Sequence, residues 1–156
     1  MKNHDAIIVS LLRENGRMSL TKMSRMTKIP VSTLYEKIKG LDNGLIRKHT
    51  TLIDFSLLGF SARARVLFKV RKTEMQKLKD HLLASPSLNE LYKVNNGYDF
   101  MAEFIFQTMK EMEEYLDMLG EKYSLEKEEI FYLIDELRRE EFLSKAHVLL
   151  LGEQRG

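Results

Sequence analysis

The stretch IPVSTLYEKIKGL, residues 29–41, decides how the first third of this chain is read. Leu34, Ile38 and Leu41 recur at i, i+4 and i+7, the apolar stripe of one helix face. The other faces carry Ser32, Thr33, Tyr35, Glu36, Lys37 and Lys39, which are small and polar, aromatic or charged, and all able to hydrogen-bond. Pro30 suits a helix start, where its missing N–H has no intrahelical partner to lose. Thr33-x-x-Glu36 offers a capping box as a second possible start. Asn43-Gly44 closes the element, so the pattern predicts a helix over about 31–43.

Two helices precede it. Residues 5–15 place Ile7, Ile8, Leu11 and Leu12 on one side and end at Asn15-Gly16. Ser19 is a good N-cap for a short second helix to Thr27, with Leu20, Met23 and Met26 inward. Lys28-Ile29-Pro30 turns the chain into the third helix. After it, LIRKHTTLI, residues 45–53, alternates loosely and is rich in β-branched residues, so a strand or small wing is expected there.

Charge divides the chain in two. Residues 1–50 hold ten Lys and Arg against four Asp and Glu, a net of +6. Residues 51–156 hold 15 against 19, a net of −4, and together they give the overall +2. A basic module is drawn to a polyanion that the acidic remainder repels. Three short helices, a tight turn between the second and third, and a β-segment form a winged helix-turn-helix, whose third helix enters the major groove of double-stranded DNA. Ser32 and Thr33 are compact enough to approach phosphates or base edges. Tyr35, Glu36 and Lys37 are placed to read bases, and Lys37 one turn on from Thr33 reaches phosphate or guanine. Lys22, Arg25, Lys28, Lys37, Lys39, Arg47 and Lys48 supply phosphate contacts.

The run NGRMSLTKMSRMTKIPVSTLYEKIKGLDNGLIRKHTTLID resembles the N-terminal domain of the Lrp/AsnC, or feast/famine, transcription regulators. The family's recognition helix reads Ser-Thr-Val-x-x-Arg-Ile-x-x-Leu; here Ser32-Thr33-Leu34-Tyr35-Glu36-Lys37-Ile38-Lys39-Gly40-Leu41 takes its place. Position 37 is Lys where the family usually has Arg, which keeps the charge and loses the bidentate fork.

The acidic two-thirds carries a different period. Residues 61–70 alternate Ala62, Ala64, Val66, Phe68 and Val70 against Arg63, Arg65, Leu67 and Lys69, a strand pattern. Thr73 is expected to cap a helix to Ala84, stopped by Ser85-Pro86. Residues 88–94 and 98–107 read as strands joined by the turn Asn95-Asn96-Gly97. Thr108 caps a helix to Lys122, and residues 128–137 read as a fourth strand. The order β-α-β-β-α-β is a ferredoxin-like split βαβ, giving an α+β chain overall. Two helices cover one face of such a sheet. The other still carries Met101 and Ile105, and both sides of the fourth strand are apolar, so a homodimer built sheet on sheet is expected.

This half resembles the same family's effector and oligomerisation domain, and the two resemblances together span about residues 3–142. The family closes its second hairpin with Gly-Asp-(Tyr/Phe)-Asp; here the run is Asn95-Asn96-Gly97-Tyr98-Asp99-Phe100, matching at Tyr98 and Asp99. Members that bind amino acids do so near this loop, so the resemblance implies a small-molecule effector site at Asn95, Asn96, Gly97, Tyr98 and Asp99.

The expected organisation is a DNA-binding domain over 1–53, an effector and oligomerisation domain over 54–142, and a tail over 143–156. The tail's apolar run, residues 148–151, either folds back onto the body or serves a tetramer or octamer. No cysteine is present, which leaves no disulfide or thiolate metal site and makes a cytoplasmic setting the expectation. The four His, at 4, 49, 81 and 147, have no metal-ligand spacing, and no cofactor is implied. No apolar run approaches bilayer length, and the charged N-terminus does not read as a signal peptide. Nothing pairs a nucleophile with a base or forms a glycine-rich phosphate loop, so no enzyme is expected. The sequence leaves two rivals to a sequence-specific regulator. One is an architectural protein coating DNA; the other is a tetrapyrrole decarboxylase, an activity found in proteins similar to this family.

Overall fold

The structure, a computed structural model, describes residues 3–145. The described residues divide into two compact units, 3–52 together with 137–145, and Ile53–Glu136. The boundaries expected from the sequence put residues 137–142 with the second unit and Ile53 with the first; here each groups with the other.

The first unit packs α1 (Asn3–Glu14), α2 (Leu20–Thr27) and α3 (Val31–Asp42) around one core. Ile7, Ile8 and Leu11 of α1 meet Met23 of α2, and Ile29 and Leu34 close the cluster, all buried. Met18, Leu20, Ile38 and Leu41 pack at its margin, while Met26, expected inward, is 38% exposed. Ser19 caps α2 by accepting the Lys22 N–H, as its side chain predicts. The turn to α3 is compact. Lys28 adopts left-handed angles (φ 60°, ψ 16°) and donates its N–H to the Ser24 carbonyl. Thr27 Oγ1 donates to the Met23 carbonyl and accepts from the Ile29 N–H. Pro30 stands at the α3 N-cap with no side-chain bond, so the start lies at the proline and Thr33-Glu36 is already inside the helix.

The expected wing strand is not formed. Residues 46–54 adopt no regular secondary structure and enter no ladder, and every strand among the described residues lies between Ala62 and Tyr132. A β-rich segment needs a neighbouring strand for its N–H and C=O groups, and the described residues of this unit offer none. The described tail is held to α1: Arg13 Nε donates to the Phe142 carbonyl at 2.5 Å, and Nη2 donates to the Glu140 carboxylate at 2.7 Å. The apolar run over 148–151 lies outside the described residues.

The second unit contains β1 (Ala62–Val70), α4 (Met75–Ala84), β2 (Leu88–Lys93), β3 (Phe100–Phe106), α5 (Met109–Lys122) and β4 (Leu125–Tyr132). The sheet order is β2-β3-β1-β4, antiparallel throughout. Ala62, Ala64, Val66, Phe68 and Val70 of β1 and Phe100, Ala102, Phe104 and Phe106 of β3 form one buried layer with Leu78 and Leu82 of α4 and Met112, Leu116 and Leu119 of α5. Both helices therefore cover the same face.

Two boundaries differ from expectation. The α4 N-cap is Glu74, because Arg71–Glu74 first closes a turn through the Glu74 N–H to Arg71 carbonyl bond. Thr73 sits inside that turn and does not cap. The fourth strand runs Leu125–Tyr132 and not 128–137, because β1 offers it partners only along its own length. Its ladder closes with the Leu133 N–H on the Arg63 carbonyl, and Ile134 beyond is 98% exposed. The charged run Leu125-Glu-Lys-Glu-Glu hid the strand's start.

Candidate nucleic-acid interface

Helix α3 separates cleanly into two arcs. Leu34 is fully buried, with Ile38 and Leu41 beside it. Ser32, Thr33, Tyr35, Glu36 and Lys39 are all exposed. At 3.6 residues per turn, Ser32, Glu36 and Lys39 fall in the middle of the outer arc, with Tyr35 and Thr33 on its flanks. The first turn of α3 carries no acidic residue, and its N–H groups follow directly on the Lys28-Ile29-Pro30 turn. That is the end of a helix where backbone donors and the dipole favour an anion. Lys22 and Arg25 on α2, Lys28 in the turn and Arg47 and Lys48 on the extended arm are exposed as well.

Lys37 differs from the other predicted DNA contacts. Its Nζ lies 2.7 Å from Asp5 Oδ1 on α1, and the two side chains are 26% and 23% exposed. The expected approach of Lys37 to phosphate or guanine competes with this ion pair. Nothing in the local pattern around residue 37 announces a partner 32 positions earlier. His49 on the arm meets Asp42 at 3.0 Å.

In the second unit, the turn at Asn96 (φ 61°) and Gly97 (φ 87°) joins β2 to β3, and Asn95, Asn96 and Gly97 are exposed. Two consecutive left-handed residues give a hairpin twist that matches the strands. Asp99 is already engaged. Its carboxylate accepts the Val70 N–H at 3.0 Å and the Lys69 ammonium at 3.2 Å, while its N–H donates to the Phe68 carbonyl. The Tyr98 ring has the Lys127 ammonium 4.5 Å from its centroid. The expected effector residues are thus brought together on one loop, with Asp99 clamping it to β1.

The helix-free face of the sheet holds a cluster that the alternating pattern did not single out. Glu103, 2% exposed, accepts from Arg63, from Arg65 at 2.9 Å and from Asn89 at 2.7 Å. Burial alone pushes its carboxyl up; the hydrogen bonds from Arg65, Asn89 and Arg63 outweigh that and hold its pKa below the usual carboxylate range. Strand alternation did put Arg63, Arg65 and Glu103 on one face, but only the β1–β3 register, pairing Arg65 with Glu103, brings them into contact. Among the described residues, no group of three or more His, Cys, Asp or Glu is placed to hold a metal ion, and no helix is long and apolar enough to cross a membrane.

No protein-family model matches the chain. The HTH-type transcriptional regulator FL11 of Pyrococcus horikoshii is 30% identical over 117 residues, covering 74% of this chain and 78% of that protein. FL11 of Pyrococcus furiosus is 29% identical over the same length and coverage. Among solved structures, the transcriptional regulator NMB0573 of Neisseria meningitidis, in complex with L-Met, superposes with a TM-score of 0.83 at 18% identity, covering 95% of this chain and 98% of that one. LrpC of Bacillus subtilis gives a TM-score of 0.78 at 18% identity, covering 86% and 94%.

Proposed function

The chain belongs to the Lrp/AsnC family of transcription regulators, and from that premise we infer how its two units divide the work of a DNA-binding regulator. The first unit is a helix-turn-helix with an extended arm in the place of a wing. The exposed arc of α3, from Ser32 to Lys39, faces base edges, while Lys22, Arg25, Lys28, Arg47 and Lys48 contact phosphates. The observation that carries this reading is the division of α3 itself. Its inner stripe is wholly apolar, and its outer arc has no large aliphatic side chain after Val31.

The second unit is ferredoxin-like and pairs two subunits through the face its helices leave open. Leu67, Met101 and Ile105 are half-buried there, and Phe131 is 52% exposed. Burying such a face against its own copy is the simplest closed association. Dimers of this kind further associate into tetramers or octamers. A small-molecule effector, such as an amino acid, binds at the Asn95–Asp99 loop. The L-Met complex of NMB0573 supports that class of ligand.

Footprinting at a specific site tests the arrangement. A dimer protects two patches about one helical turn apart, roughly 34 Å. Phe131→Lys, which loads a half-exposed face with charge, is expected to shift the protein toward monomer in analytical ultracentrifugation. It should also weaken the paired footprint at least tenfold. A single patch from wild type, or a Phe131→Lys variant still dimeric with both patches intact, would reject the sheet-on-sheet dimer.

A further inference from the structure

We propose that Lys37 is a positioning residue for DNA binding, setting the attitude of α3 through its ion pair with Asp5 and not through a contact to DNA. The proposal rests on the DNA-binding reading of α3. Lys37 lies on the border between the outer arc and the buried stripe of Leu34, Ile38 and Leu41. It is half-buried, whereas Ser32, Thr33, Tyr35, Glu36 and Lys39 are exposed. Its ammonium lies 2.7 Å from the Asp5 carboxylate in the first turn of α1, and both side chains are about three-quarters buried. A pair this far out of solvent is screened less than a surface pair, and its geometry is fixed by the packing around it.

The pair also ties the ends of the unit's core together. Asp5 stands next to Ile7 and Ile8, and Lys37 next to Ile38, so the bond runs along the seam where α1 meets α3. Apolar contacts between helices are non-directional one by one and set the mutual orientation only through close packing. A charge-assisted hydrogen bond between them has a direction and a length, and it selects one rotation of α3. That rotation determines which side chains of the outer arc meet base edges. Position 37 thus has a reason to be basic that does not involve DNA.

The two roles predict opposite effects of Asp5→Ala. If Lys37 contacts phosphate, removing Asp5 frees an ammonium and deletes a negative charge, so DNA is bound as tightly or more tightly. If Lys37 positions α3, Asp5→Ala weakens binding about as much as Lys37→Ala, and the double variant is no worse than either. Affinity for a specific site and for random DNA is measured across a salt series for wild type, Asp5→Ala, Lys37→Ala, Lys37→Arg and the double variant. Circular dichroism is recorded on each.

The expected result is a loss of roughly fivefold or more in specific affinity for both single variants, little change on random DNA, and near-normal binding by Lys37→Arg with helical signal retained. A drop of about 0.9 in salt slope for Lys37→Ala, with Asp5→Ala unimpaired, would overturn the assignment in favour of a phosphate contact. Unchanged affinity in both single variants would overturn it too, as would a loss accompanied by loss of helical signal, which assigns the pair to folding. Failure of wild type to bind any DNA would instead remove the reading on which the proposal rests.

Discussion

At Glu103 the protein places a carboxylate in a site nearly sealed from water and keeps it charged. Arg63, Arg65 and Asn89 converge on its two oxygens, and Arg63 also reaches Glu136 at 2.6 Å while Arg65 lies 3.6 Å from Glu90. Such a cluster stabilises mainly by leaving no charge unpaired. Replacing Glu103 by Ala leaves two guanidinium groups facing each other and is expected to cost about 3 kcal/mol, reduced from the fully buried case because Arg65 is 44% exposed. Glu103→Gln keeps an acceptor for one arginine and costs less. The folded carboxyl has the lower pKa, so the unfolded chain takes up its proton first as the solution is acidified. The stabilisation is whole above the ordinary carboxylate range and is lost as pH falls through the folded value. Urea unfolding of wild type and Glu103→Gln should converge on the acid side, and a constant gap down to pH 2.5 would contradict the assignment. The cluster was only half legible in the sequence. Alternation put Arg63, Arg65 and Glu103 on one side of the sheet, but contact between them depends on the β1–β3 register, and Asn89 joins through a β2–β3 register shift between Leu88 and Glu90 that no period announces.

Helix α5 and strand β4 carry the opposite situation. Burial pushes the Glu128 carboxyl up, and Asp117 and Glu113 on α5 push it further, while Tyr132 turns its hydroxyl to Glu113. The folded state therefore holds this proton more tightly than the unfolded chain does, and ionising Glu128 at neutral pH costs stability. Glu128→Gln is expected to raise the melting temperature at pH 7, with the gain shrinking as pH falls into the range where Glu128 itself takes up a proton. A variant that melts lower at pH 7 would show that the charged form is held by groups other than these. The sequence pattern misplaces β4 for a reason that lies here too. Residues 126–129 are all charged, Ile130, Phe131 and Tyr132 sit at its end, and strand limits come from the partner β1 rather than from its own pattern. No wing forms for the related reason that residues 46–52 have no partner strand among the described residues of their unit. Helices, whose hydrogen bonds are internal, were read more nearly: Ser19 and Thr108 both accept the N–H three residues on, at 3.2 Å.

Across the whole molecule, the net charge of +6 in residues 1–50 and −4 in the remainder separates the part proposed to meet a polyanion from the part proposed to meet another subunit or an effector. An effector at the Asn95–Asp99 loop stabilises whatever state binds it, so saturating ligand at a hundred times its dissociation constant adds about 2.7 kcal/mol. A panel of the common amino acids is expected to give at least one upward shift in heat unfolding, abolished by Asp99→Asn. No shift with any of them would remove amino acids as effectors. The division into a basic helical module and an acidic α+β module is plain from charge and period. What stayed hidden was which basic side chains are already engaged, since the Asp5–Lys37 pair joins residues that only the packing of α1 on α3 brings together.

The most direct test of the central claim compares binding to the DNA upstream of the protein's own gene with binding to random DNA of equal length, at two salt concentrations, for wild type and Tyr35→Ala. Tyr35 is 55% exposed on the outer arc of α3, so its removal leaves the core untouched. A sequence-reading α3 predicts a preference of about a thousandfold or more for the upstream DNA, reduced at least tenfold by Tyr35→Ala, with both affinities falling steeply with salt. Equal binding to both DNAs, unaffected by Tyr35→Ala, would contradict it and leave a protein that coats DNA by charge alone.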